Sequence, residues 1–191
     1  MNIFLKLLVI ILIIFLNSCS KKEEKISMIQ EKELRLQMID AYKEGVKALE
    51  EGDVLFAAKK FNEAEILFPQ SEWAPKSVLM AAYSYYVQDY YYDALSELDR
   101  FIKKYPKDER LNYAHFLLAM CYYEQIVDEK KDLGPLLNAQ KEFKFIIKNY
   151  PNSDFALDSK FKLDFINDVL ASKEIYLGRY YIKKEKWIAA I

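Results

Sequence analysis

Residues 57–69 read AAKKFNEAEILFP, and the same frame returns as ALSELDRFIKKYP at 94–106 and AQKEFKFIIKNYP at 139–151. Each copy places an alanine, a large apolar residue four positions on, and a proline eight further: Ala57, Phe61, Pro69; Ala94, Leu98, Pro106; Ala139, Phe143, Pro151. The offsets are 37 and then 45 residues. Residues i and i+4 share one helix face. The alanine lets a partner helix come close, and the Phe or Leu fills the space beside it. Proline cannot continue the helix, so it ends each unit. Twelve residues before the alanine a small residue recurs, as Gly45 and Ala82, where it fits a tight crossing by a preceding helix. Gly178 stands in the same relation to Ala190, where a fourth copy begins.

The frame is therefore a helix hairpin repeated in series, which matches the tetratricopeptide layout of stacked helix pairs. The expected fold is all-α, a tetratricopeptide-type helix-hairpin solenoid, incomplete at its C-terminal end. Helices are predicted near 30–51, 54–68, 73–88, 91–105, 110–127, 138–149, 154–170 and 172–184, with another starting at Trp187. They group as pairs at about 37–69, 73–106 and 110–151, an extra helix at 154–170 and a partial pair at 172–191, together a repeat domain over 37–191. Gly52-Asp53 and Gln88-Asp89 supply tight turns. Asp128 to Asn138 is an insertion that lengthens the third pair, either a functional loop or solvated filler.

Composition agrees. Of 191 residues, 52% are hydrophobic and 15% aromatic, too many for a disordered chain. Only 4 glycines and 5 prolines argue against a turn-rich β architecture. The 28 basic and 29 acidic residues nearly cancel, which gives no basic field for nucleic acid.

The first 18 residues read as a signal peptide: Lys6, then the apolar run Leu7 to Leu16. Leu16-Asn17-Ser18-Cys19 resembles the lipobox of bacterial lipoproteins. That resemblance implies an S-diacylglycerol and an N-acyl chain on Cys19, which becomes the mature N-terminus, and no other cofactor. Two or more acyl chains hold a protein stably on a bilayer. Ser20 after the cysteine points to the periplasmic face of the outer membrane, and residues 19–36 form a charged tether. Cys121, left without a partner cysteine, reads as a small buried hydrophobe.

No catalytic set can be assembled. His115 is the only histidine, so neither a His-based triad nor a His/Cys metal site is available. There is no phosphate loop. The reading is a non-enzyme whose working part is a surface. The first helix of each pair lines the concave face of such a stack, which places Tyr42, Val46 and Leu49 there in pair one. Leu79, Tyr83 and Tyr86 follow in pair two, and Phe116, Met120 and Tyr123 in pair three. Tyrosine suits peptide capture, with large apolar area, few rotamers and a hydroxyl; several of these side chains could equally be core.

The ordered set of lipobox, tether and helix pairs, with Asp99-Arg100-Phe101-Ile102, Tyr150-Pro151-Asn152-Ser153, and Tyr180-Tyr181 before Trp187, resembles the BamD family. These lipoproteins belong to the complex that assembles barrel proteins into the bacterial outer membrane. The resemblance implies a five-repeat scaffold docked on the periplasmic domains of a BamA-like barrel subunit, beside other assembly lipoproteins. It also implies that the first repeats bind the aromatic-ended C-terminal signal of unfolded outer membrane proteins. The chain stops where the family's fourth pair needs its second helix, as a fragment of a longer frame would. Two alternatives are a pilotin for secretin assembly and the helical domain of a truncated lytic transglycosylase.

Overall fold

The structure, a computed structural model, describes residues 28–126 and 133–190. The signal peptide, Cys19, the tether up to residue 27, residues 127–132 (which include the first five of the predicted insertion 128–138) and Ile191 lie outside the described residues. Two compact units divide the chain, Met1–Glu33 and Leu34–Ile191. Of the first, residues 28–33 are helical.

Among the described residues, seven α-helices and a short 3₁₀ turn follow one another: α1 Met28–Glu50, α2 Val54–Leu67, α3 Trp73–Tyr86, α4 Tyr91–Lys104, α5 Leu111–Tyr123, α6 Gly134–Asn149, α7 Asp154–Lys183 and the turn Trp187–Ala190. No strand occurs among the described residues. Local chemistry sets the ends. Asp53 caps α2 by accepting from the Phe56 amide at 3.1 Å, and Ser153 caps α7 through the Ala156 amide at 3.2 Å. Phe68, Tyr105 and Tyr150 leave the helical conformation directly before the three repeat prolines. Both tight turns use a left-handed residue 37 positions apart, Gly52 at φ 84° and Asp89 at φ 61°.

The repeat residues are the core. Ala57, Phe61, Ala94, Leu98, Ala139 and Phe143 are all at 0% exposure. A Cβ on Gly45 would stand 2.9 Å from the Phe61 ring, so glycine is what lets α1 and α2 approach. Gly178 does not repeat this. Its nearest neighbour would be the Ala190 carbonyl at 3.5 Å, an ordinary contact, so the tight crossing expected there is absent.

Four further expectations change. Helices at 154–170 and 172–184 are one continuous α7, because Leu170-Ala171-Ser172 contains no breaker; the repeat register alone suggested a division. The sixth helix starts at Gly134 instead of 138, with Pro135 in its first turn, where proline is pre-organised and its missing N–H costs nothing. Trp187 begins a four-residue 3₁₀ turn and no α-helix. The fifth helix is also shorter than 110–127, closing at Tyr123.

Candidate functional site

Between α1 and α3 lies a groove of about 400 Å³ with Ile39, Tyr42, Val46 and Trp73 as its apolar wall and Lys43, Lys47, Lys76 and Glu50 on its rim. Helical spacing explains the wall: Ile39, Tyr42 and Val46 fall on one stripe of α1. Tyr42 is fixed by edge-on contacts with Phe61 (5.2 Å between ring centres) and Trp73 (5.1 Å). The Lys76 ammonium stands over both rings, 4.7 Å from Trp73 and 5.4 Å from Tyr42. At an exposed lysine such contacts are worth about 0.5–1 kcal/mol each and bias the ammonium toward the rings. Burial raises the Tyr42 hydroxyl pKa, and the Arg110 charge partly offsets it. Arg110 is itself held by Asp108 at 2.7 and 2.8 Å.

The other sequence-selected residues do not share this groove. Leu79 is 4% exposed and packs with Val78, Ala82 and Leu98, so it is core and offers nothing to a ligand. Tyr83 is 36% exposed. Tyr86 packs against Tyr91, and burial pushes its hydroxyl up to about 12. Phe116 sits between Phe143 (6.2 Å) and Phe155 (5.0 Å), and Met120 packs on the same cluster. Tyr123 meets Phe143 and Phe165 edge-on, with Lys162 4.9 Å from its ring centre. Val46 lines the groove, and Leu49 packs behind it with Ala48 and Phe61. Trp73, Lys76 and Ile39 were missed. Ile39, three residues before Tyr42, was within reach of helical spacing; the pairing of Trp73 with Tyr42 was not.

Two polar clusters tie helices together. Glu65, 2% exposed on α2, accepts from Lys104 (2.7 Å), Tyr105 (2.8 Å) and Arg100 of α4. Arg100 also donates to Asn62 (2.8 Å) and Glu97 (2.9 Å). Burial by itself would raise the Glu65 carboxyl; the hydrogen bonds from Lys104, Arg100 and Tyr105 outweigh it and hold the group below the ordinary range. Between α5 and α6, His115 Nδ1 lies 2.9 Å from a Glu142 carboxylate oxygen, its ring 4.2 Å from that of Phe145. Cys121 is fully buried, and burial lifts its thiol to about 12, which leaves no reactive thiolate. Among the described residues no group of three or more His, Cys, Asp or Glu could hold a metal ion, and no helix is long and apolar enough to cross a membrane.

Stacked helix hairpins, each closed by Ala, a large apolar residue and Pro, define a tetratricopeptide-like repeat protein. The family described as outer membrane lipoprotein, YfiO, matches residues 35–191, and the chain belongs to it. It is similar to the outer membrane protein assembly factor BamD of Caulobacter vibrioides, 36% identical over 173 residues, which is 91% of this chain and 56% of that protein. The BamD of Rickettsia prowazekii is 35% identical over 150 residues (78% of this chain, 60% of that protein). That of Neisseria meningitidis serogroup B is 29% identical over 159 residues (78% and 60%). The chain thus spans less than two thirds of the length of these relatives.

Proposed function

We propose that this protein is a non-enzymatic scaffold in the assembly of outer membrane proteins, and that the α1–α3 groove receives the C-terminal end of an unfolded client. Membership in a family whose relatives are named assembly factors supports the first part. One observation carries the second: an aromatic-lined groove whose ammonium is already positioned by two rings. A terminal carboxylate pairs with Lys76, with Lys43 and Lys47 adding field, while a terminal aromatic ring lies against Ile39, Tyr42 and Val46. Glu50 on the same rim repels acidic side chains and so favours one orientation.

In this reading Cys19 carries the diacylglyceryl and acyl chains that hold the scaffold on the periplasmic face of the outer membrane. The remaining repeat surface docks on the periplasmic domains of a BamA-like barrel subunit and on other assembly lipoproteins. The protein takes no nucleic acid. Titration of a peptide with a C-terminal phenylalanine, followed by quenching of Trp73, tests the groove. The free carboxylate is expected to bind roughly tenfold more tightly than the C-terminal amide, and Lys76→Met to abolish that difference, as loss of one charged partner does. Equal affinity for acid and amide would remove the carboxylate from the account.

A further inference from the structure

The position two before each repeat alanine is apolar in all four copies: Leu55, Tyr92, Leu137 and Ile188. None is covered, the exposures being 54%, 85%, 49% and 94%. A single exposed leucine needs no explanation, but one repeat position left apolar and open in each of the first three copies is a pattern that folding does not require. In pairs one and two these residues belong to one surface. The Gln88 side chain donates to the Gly52 carbonyl at 3.3 Å, which brings the α3–α4 turn against the α1–α2 turn. Around that bond Leu55 and Tyr92 are joined by Phe56 (42% exposed), Val87 (41%) and Tyr90 (42%).

Acids outnumber bases on this edge, where the Lys60 ammonium stands 5.6 Å from the Phe56 ring centre. Asp53 and Asp93 sit at the starts of α2 and α4, where the helix dipole welcomes them. Glu51, Asp89 and Glu124 follow the C-terminal ends of α1, α3 and α5 and are exposed; Glu51 and Asp89 also lie just ahead of α2 and α4, and Asp89 accepts from the Tyr91 hydroxyl at 2.6 Å. Burial and then the Glu124 charge raise the Tyr86 hydroxyl; burial, the Asp89 hydrogen bond and charge, and then Glu124 raise that of Tyr91. Lys47 reaches Glu51 at 3.7 Å, but both side chains are largely in water, so the pair neutralises little. The acids gathered beside these open apolar side chains give the edge a negative field.

We infer that this turn edge is a docking surface for a partner polypeptide whose contact segment is basic and rich in apolar side chains. Tyr92, Leu55 and Phe56 supply the apolar contact, and the acids steer and orient the approach. An anionic bilayer is the wrong occupant, because the same acids repel it. The edge lies at the C-terminal ends of α1 and α3 and is independent of the carboxylate reading of the groove.

The test uses the full chain and a fluorescent synthetic peptide of lysine and leucine, with a glutamate–leucine peptide and vesicles of phosphatidylglycerol and phosphatidylethanolamine as competitors. Leu55→Ser with Tyr92→Ser is expected to weaken the lysine–leucine peptide by roughly tenfold or more, the loss typical of two anchor side chains. Asp93→Lys with Glu124→Lys is expected to do the same and to flatten the salt dependence of binding. Leu157→Ser with Phe161→Ser, equally exposed apolar residues of α7, leaves binding unchanged. All of these positions are exposed, and unchanged thermal melts will show that the variants fold. Unaltered binding by both turn-edge pairs, equal loss in the α7 pair, preference for the glutamate peptide, or binding of the vesicles would each overturn the proposal.

Discussion

Glu65 and Arg100 form an ion pair whose two members are unequal, and the inequality can be measured. The Glu65 side chain is 3% exposed and that of Arg100 37%, with Lys104 at 46%. If Glu65 is replaced by methionine, the cations turn to water and Arg100 keeps Glu97; the cost is about 1 kcal/mol or less, since an apolar side chain of similar size often substitutes for a buried charge without loss. If Arg100 is replaced by methionine, a carboxylate remains in the protein with only Lys104 and Tyr105 to hold it. Removal of one partner of a fully buried pair costs about 3–5 kcal/mol, and the partial exposure here reduces that to about 2 kcal/mol. With a urea slope of about 2 kcal/mol/M, the midpoint falls by about 1 M for Arg100→Met and by half that or less for Glu65→Met, followed by circular dichroism at 222 nm. The sign of the pH dependence follows from the direction of the shift. The Glu65 carboxyl lies below its ordinary value of 4.5 in the folded protein, so its contribution is present above that pH and is lost as pH falls through the folded value. The gap between wild type and Arg100→Met therefore narrows in acid, and Glu65→Met flattens the acid limb of the stability curve. A Glu65→Met variant less stable than Arg100→Met at neutral pH would refute the assignment of the burden to the buried carboxylate.

Gly45 and Gly178, both in helix interiors, give opposite outcomes. Gly45→Ala drives a Cβ to 2.9 Å from the Phe61 ring and is expected to cost about 1–3 kcal/mol, while Gly178→Ala meets only an ordinary contact and gains about 0.5–1 kcal/mol of helix propensity; thermal melts separate them. Phe143→Ala empties a fully buried site contacted by Phe116 and Tyr123 and is expected to cost about 3–5 kcal/mol by urea denaturation, more than Tyr123→Ala at the half-buried edge of the same cluster. Cys121, with its thiol at about 12, is expected to resist a maleimide at pH 8 in the folded protein and to react once urea unfolds it, read by the mass of the peptide that contains it.

Much of the fold was legible because each part of the repeat carries its own local mechanics. Ala57 and Phe61 must face the same way, and Pro69 must end a helix whatever surrounds it. The misreading of α7 came from the opposite practice, in which repeat register divided a helix that holds no breaking residue. Leu79 was misplaced because α3 lies between neighbours on both sides, so more than one stripe is buried and the count that exposes Tyr42 on α1 does not carry over. Trp73 and Lys76 were passed over because the sequence shows no link between a residue at the start of α3 and Tyr42 in the middle of α1.

What the sequence determined by itself is the helix pairs, their three aromatic or aliphatic wedges, and the lack of a histidine-based catalytic set, since these depend on residue type and on spacings shorter than a hairpin. Only the tertiary structure decided that Glu65, an acid like any other on paper, is buried under Arg100, 35 residues away, that a lysine stands over two rings, and that five apolar side chains share an acidic edge. The reason is physical: whether a polar or apolar side chain is exposed depends on which second helix lands on it, and that contact is made across the stack, where periodicity along the chain carries no information.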